Sequence, residues 1–428
     1  MKKIKIKINT KDKKRLTIKK DLIQEGNRFL FDLNSKELLD IHNIGRIMLE
    51  IEKHIFCFFE DNKKKMRKEP LDILKIDFPI LTDLDEKRKE SLSNILENFF
   101  LFIYNKNIKF NFYKVDYDLP EVEAFALKKY DSILLFSGGL DSMIGTSYCE
   151  KRFDKTLLVY TDQKPRLRPV IDKIMNDSLK NFDLIKIKGH QMYSGYFANA
   201  AGLSYMLNGA IFSYLSEVPL LISECGVTSY QPRFAPLNDI TYTTHPHTIN
   251  TAKEVVKILL NFDLDIQLPF NDTTKAEMVA KYENSKKIEL SHSCVTTNPF
   301  CEGKIIKNCG DCYACFIRKL AVLASTGDTT EYKSQINWNK KSNIYPILDF
   351  CYMVLKDFEL LDYPQREKII KYNKKDLFER FSLDTFSALY KLSKTEELPE
   401  SILDYLSKFN QEIFENRLNE LNSMKLKK

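Results

Sequence analysis

The chain has 428 residues, 43% of them apolar and 29% charged, with a formal net charge of +7. That length supplies two or three domains with buried cores, at about 100–200 residues each, and 13 Gly with 14 Pro exclude collagen-like and low-complexity chains. No apolar run approaches the roughly 20 residues that span a bilayer, so a cytoplasmic protein is expected, with nucleic acid permitted by the basic balance but not required.

Met1–Ile8 alternates lysine and isoleucine and reads as a strand, not a signal peptide. Arg15–Lys19 alternates too, and Arg28–Leu33 is β-prone. Apolar residues at Ile44, Ile47, Met48, Ile51 and Ile55 predict a helix over Ile41–Phe59, and a second is expected over Asp83–Tyr104. The basic run Lys63–Lys68 reads as a solvated loop, and Pro120 with Glu121-Val122-Glu123 as a linker.

From Asp131 the pattern changes. Ile133-Leu134-Leu135-Phe136 is a short continuous apolar run, as in a strand covered on both faces of a parallel sheet. Strands at Thr156–Tyr160, Leu184–Ile187, Pro219–Ser223 and Asp265–Leu268 then alternate with helices at Val170–Asn181, Gly202–Ser216 and Thr251–Phe262. The alternation predicts a doubly wound, Rossmann-like α/β fold. Beyond about Asp328 the helical stretches Ile344–Leu361, Lys375–Leu392 and Glu400–Leu421 carry no chemical motif. Three parts are therefore expected: an N-terminal α/β accessory domain over 1–127, a central domain over 128–329 and a helical region over 330–428.

Two segments carry chemistry. Ser137-Gly138-Gly139-Leu140-Asp141-Ser142 follows a buried strand and opens a helix. Glycines permit a tight turn with bare amides, and the helix N-terminus adds donors and positive dipole, so the segment suits an oxyanion such as phosphate. Ser137 and Ser142 offer hydroxyls, and Asp141 could cap the helix or hold a magnesium ion. The second segment is Cys309-x-x-Cys312-x-x-Cys315, with Cys294 upstream in Ser291-His292-Ser293-Cys294. Five of nine cysteines fall within this stretch, a density that points to a structural zinc site in a reducing compartment rather than disulfides. Cys301, and more weakly His292, compete with Cys294 as fourth ligand.

Ser-Gly-Gly-x-Asp-Ser after a first strand resembles the PP-loop of the N-type ATP pyrophosphatases, which split ATP at the α-phosphate. With the downstream cysteines, Arg318 and the stretch Leu268–Glu277 containing Thr274-Lys275-Ala276-Glu277, the chain resembles the QueC (7-cyano-7-deazaguanine synthase) family over about 130–325. That resemblance implies an adenine nucleotide α-hydrolase fold, ATP, Mg2+ and Zn2+, and adenylation of the carboxylate of 7-carboxy-7-deazaguanine before an amine displaces AMP. It implies nucleotide contacts at Ser137, Gly138, Gly139, Leu140, Asp141 and Ser142, with Lys275 as the cation at the reacting phosphate.

Departures lie in the substrate segments. The family's loop after the second strand is matched only loosely by Thr161-Asp162-Gln163-Lys164. Ser223-Glu224-Cys225-Gly226-Val227, Gln231-Pro232-Arg233 and Thr243-Thr244-His245-Pro246 are more similar to the longer QueC-like proteins of bacterial antiviral operons, the QatC and type IV CBASS groups. Glu224 could pair with a guanine-like edge, and Arg233 or His245 with a carboxylate or phosphate. The acceptor is ammonia or an amine on a protein, with an operon-encoded partner implied by the second resemblance. Rival readings are a PP-loop tRNA thiolase, for which Cys149 is the nearby nucleophile, and a non-catalytic nucleotide-sensing scaffold. His42, His54 and His190 read as structural.

Overall fold

The structure is a computed structural model. It describes residues 4–8, 15–18, 35–60, 74–104, 108–116, 119, 129–162, 167–188, 199–230, 242–282, 284–294, 300–301, 304–305, 308–328, 330–338 and 341–425. The expected strand Arg28–Leu33, the basic run Lys63–Lys68, the linker at Pro120–Glu123 and His190 lie outside them, as does the side chain of His54.

Two strands at the start, β1 (Ile4–Ile8) and β2 (Arg15–Ile18), pair antiparallel. Helix α1 (Lys36–Glu60) leads to β3 (Leu74–Ile80), and α2 (Glu86–Tyr104) to β4 (Ile108–Lys114). The sheet order is β2-β1-β3-β4, with β3 and β4 parallel. Periodicity assigns no strand to β3 or β4 although both alternate: in β4, Ile108, Phe110 and Phe112 are buried while Lys109 and Asn111 are exposed.

The central sheet is five-stranded and parallel, ordered β7-β6-β5-β8-β9, from β5 (Ser132–Leu135), β6 (Thr156–Asp162), β7 (Asp183–Lys188), β8 (Leu220–Leu221) and β9 (Ile266–Gln267). Alternation sends successive side chains to opposite faces. Leu134, Phe136, Leu158 and Tyr160 pack with α3 (Leu140–Glu150) and α4 (Arg168–Ser178). Ile133, Leu157 and Val159 pack with α5 (Ala201–Ser216) and, beyond the short α6 (Gly226–Tyr230), α7 (Pro246–Leu260). Helices thus cover both faces, as the continuous apolar runs require. β8 and β9 are shorter than expected, yet backbone bonds from Ile133 to Pro219 (3.0 Å) and Ile222 to Gln267 (3.1 Å) extend their pairing.

The N-terminal unit docks through α1 and α2 on α5 and α7, and its core runs unbroken into that of the central sheet. Where α1 crosses α5, a Cβ on Gly45 would lie 3.0 Å from Ser204 Cα. Buried His42 meets Asn208 at 2.9 Å across the same crossing.

After α8 (Lys275–Lys281), α9 (Ser285–Leu290), the hairpin of β10 (Phe300–Cys301) and β11 (Lys304–Ile305), and α10 (Tyr313–Ser325), the chain is helical. It continues as α11 (Lys341–Lys356), α12 (Tyr363–Lys371), α13 (Lys375–Ser393), α14 (Glu400–Ser407) and α15 (Gln411–Lys425). The expected single helix Glu400–Leu421 is two, because Phe409 turns into the core against Phe386 and Phe414, and Asn410 accepts from the Glu412 amide. These helices share one core with α8 and α10. Among the described residues, no helix is long and apolar enough to cross a membrane.

Gly45→Val should force α1 off α5 and lower stability by about 1–3 kcal/mol, the usual cost of overpacking. Gly45→Ala should cost less. Denaturant unfolding of the full-length variants would measure both.

Candidate active site

In the order β7-β6-β5-β8-β9 the chain leaves β5 toward β6 and later returns to β5's other side as β8. Loops after β5 and β8 therefore diverge and open a crevice at the carboxyl ends of the strands, where open α/β sheets take their ligands. A cavity of about 280 Å3 occupies it, lined by Ser137, Gly139, Ser142, Tyr160, Ser223 and Glu224 among others. Apolar Val159, Leu167 and Ile222 form part of its wall.

The loop Ser137–Gly139 is built for close backbone approach. Gly138 sits at φ +75°, and a Cβ there would meet Ile171 Cδ1 at 2.7 Å, so only glycine fits. The Ser137 amide donates to Ser142 Oγ and the Gly139 amide to Ser137 Oγ, both at 3.3 Å. The Leu140 amide donates to Ser293 Oγ, also at 3.3 Å. These bonds are long, and with glycine at the N-cap no N-cap side chain bonds the first turn of α3, leaving only the Ser293 hydroxyl on the Leu140 amide. An anion can replace the hydroxyls at little cost. From the other side, the His292 amide holds Gly138 O at 2.8 Å.

A second chamber of about 260 Å3 shares Ser137, Gly139, Asp141 and Glu224 with the first and adds Lys275, Tyr313, Ile317 and Phe381. Lys275 is the first residue of α8, whose N-cap Thr274 and third residue Glu277 form a reciprocal capping box. Its ammonium forms an ion pair with Asp141 at the start of α3. Burial pulls the Lys275 ammonium down, but Asp141, Cys225 and Glu224 more than offset this and hold it above its ordinary value. Glu224, partly buried between the chambers, accepts from Thr244 Oγ1 at 3.3 Å and from Thr243. Burial, reinforced by the Asp141 charge, pushes its carboxyl up to about 7. Leu140, Asp141, Ser142, Glu224 and Lys275, from three separate segments, thus meet at one place.

Next to the loop, Cys294, Cys309, Cys312 and Cys315 are all buried, with their sulfurs within 4.8 Å of one another. Cys309 and Cys315 are 3.8 Å apart, Cys294 and Cys312 4.0 Å. A tetrahedron with Zn–S bonds of about 2.3 Å needs sulfurs about 3.8 Å apart, so this set could hold zinc and leaves no open position. The cluster takes Cys294; Cys301 lies in β10 and its side chain is outside the described residues. Arg318, 1% exposed, braces the cluster loop by donating to Ile288 O at 2.6 Å and Tyr332 OH at 2.6 Å.

The other candidates fall elsewhere. His245 caps α7, its Nδ1 accepting from the His247 amide at 3.2 Å, and stacks on Phe102 with ring centroids 4.5 Å apart. Burial pushes it down to about 3, and it lines neither chamber. Arg233, Gln163 and Lys164 lie outside the described residues. Cys149 is fully buried under the sheet with its thiol pushed up to about 12, a setting that supplies no thiolate. Ser293, quoted from the sequence only as part of the segment before Cys294, touches the loop, and Phe381, which the sequence did not single out, resembles any core aromatic of an amphipathic helix.

No protein-family model matches the chain, and no curated protein is significantly similar to it.

Because Glu224 has its carboxyl raised from 4.5 to about 7, the folded state holds its proton more tightly than the unfolded chain. Its contribution is therefore complete below about pH 4.5 and lost as pH rises toward 7, by no more than about 3 kcal/mol. Glu224→Gln should flatten stability against pH across that window, and denaturant midpoints of both proteins from pH 4.5 to 8 would show it.

Proposed function

We propose that the protein is an ATP-dependent enzyme that adenylates a 7-deazaguanine carboxylate and passes the activated acyl group to an amine. The observation that carries the reading is the glycine loop at the sheet's switch point, joined to the Lys275–Asp141 pair. The motif resemblance to QueC-type enzymes supplies the base. The apolar first chamber suits the adenosine of ATP, and the second, walled by Tyr313, Ile317 and Phe381, suits a flat base carrying the carboxylate.

A carboxylate is a poor acyl donor because its leaving group would be oxide; joining it to AMP replaces that group with a phosphate ester. In the first step a carboxylate oxygen attacks the α-phosphorus and pyrophosphate leaves. In the second the amine attacks the carbonyl, AMP leaves and one proton is released. The chain's part is alignment and neutralisation of charge. Ser137, Gly139 and the first amides of α3 hold pyrophosphate oxygens, and Asp141 with Ser142 would hold magnesium. Lys275 then exchanges Asp141 for the α-phosphate. With ammonia the product is an amide, which a second adenylation dehydrates to a nitrile; with an amine of a protein partner it is a conjugate. Zinc on Cys294, Cys309, Cys312 and Cys315 would tie the segment after α9 to α10, a structural duty.

With ATP, 7-carboxy-7-deazaguanine and ammonia or cell extract, the protein should release AMP and pyrophosphate, followed by chromatography. Mass spectrometry of small molecules and of proteins assigns the acceptor. Lys275→Met should lower the rate about 100- to 1,000-fold, the usual cost of removing one charge-stabilising group. Formation of ADP, or no AMP with either acceptor, would overturn the reading.

The purified protein should carry one zinc per chain by plasma emission spectrometry. Cys312→Ser should lose it and unfold at lower temperature, whereas Cys301→Ser should keep it.

A further inference from the structure

We propose that the C-terminal helices complete the reacting centre, with Thr274, Asp384 and Arg417 acting as positioning residues that aim the Lys275 ammonium.

Lys275 lies at the first position of α8, so its backbone direction is set by the N-cap before it and the turn it opens. Both are held from outside the central domain. The Thr274 hydroxyl donates to Asp384 of α13 and accepts from the Glu277 amide at 3.2 Å. Glu277 in turn accepts the Thr274 amide at 2.9 Å. Arg417 of α15 spans the two acids, Nε to Asp384 at 2.7 Å and Nη2 to Glu277 at 2.5 Å. Arg380 of α13 binds both Glu277 oxygens at 2.7 and 2.6 Å and the Asp272 carbonyl at 3.0 Å.

Thr274, Glu277, Asp384 and Arg417 are each no more than 5% exposed. Each guanidinium is fully engaged, Arg417 also meeting Glu420 at 2.6 Å and Arg380 also meeting Asp376 at 3.0 Å, so the buried acids have fixed partners, the condition under which buried charges hold one geometry. A capping box needs only Thr274 and Glu277, so the three further groups exceed what the helix requires. α13 also reaches the site directly: Phe381 lines the second chamber, and Leu377 lies beside Gly226, the first residue of α6, just after Glu224. That Lys275 serves a reaction rests on the proposed function; that these residues aim it does not.

The test is chemical labelling of the full-length, metal-loaded protein with an acetylating succinimide ester, read lysine by lysine by peptide mass spectrometry. Thr274→Val keeps the side chain's shape but removes both hydroxyl bonds. Asp384→Asn keeps its size and weakens its hold on Thr274 and Arg417. In each, Lys275 labelling should rise about tenfold, the change in free amine that one pKa unit makes, while buried Lys287 stays protected. Thr274→Ser, which retains the hydroxyl, should restore protection of Lys275. Unchanged Lys275 labelling in either folded variant overturns the proposal. So does a rise shared equally by Lys287, which reports general loosening. Where wild-type AMP release is observed, Thr274→Val should also lower its kcat about 100-fold with little change in the KM for ATP, as a misplacement of about 1 Å can do. If the wild type forms no AMP, the proposed function fails while the labelling still decides this one.

Discussion

A lysine ammonium held against an aspartate across the mouth of the central sheet is the constraint on which the site depends. Lys275 and Asp141 are 134 residues apart, each at the first turn of its own helix and each less than a fifth exposed. Charges this far out of water persist only when paired and when their neighbours are fixed. The surrounding architecture supplies the fixing. β5 sets the start of α3 through a loop only glycine can form, and the Gly226 amide ties the loop after β8 to Phe270 and Thr273 just ahead of α8.

Two braces of different chemistry flank that pair. On one side the four-cysteine cluster and Arg318 order the segment whose Ser293 and His292 touch the glycine loop. On the other, the ionic network of Glu277, Asp384, Arg380 and Arg417 orders the helix that carries Lys275. The cysteine cluster joins chain segments through four buried sulfurs, whereas the ionic network needs the buried interface that α13 and α15 provide. The helical region is therefore more than an appendage of the sheet domain: it shares a core with α8 and α10.

Much of this was legible in the sequence. The parallel strands read as continuous apolar runs because both faces are covered, and the glycine loop and cysteine spacing are local patterns whose chemistry follows from the residues alone. What could not be read depends on distant partners. Arg417 looks like a solvated charge on a polar helix until α8 is placed against it. Phe381 looks like core because period and polarity do not say which cavity a core position borders. His245 carries the opposite lesson. A histidine before a proline suggested a ligand, and the structure gives it the duties of an N-cap among Phe102, Tyr242 and Tyr372.

The candidate site holds two carboxyl groups and one ammonium, with the Glu224 carboxyl pushed up to about 7. Such a set is close to neutral overall, which is what a partly buried cleft without substrate can tolerate. Its charges are committed to each other and not to solvent, so a polyanion that enters must bring its own countercharge or displace one of the acids. Under the proposed reading, Asp141 with Ser142 would hold the magnesium that accompanies ATP, and Lys275 would turn from Asp141 to the phosphate. The attraction lost on separating the pair would then be regained at the α-phosphate. An ammonium less than a fifth exposed, braced by its neighbours and already paired with a carboxylate, is the preorganisation that the proposed reaction would use.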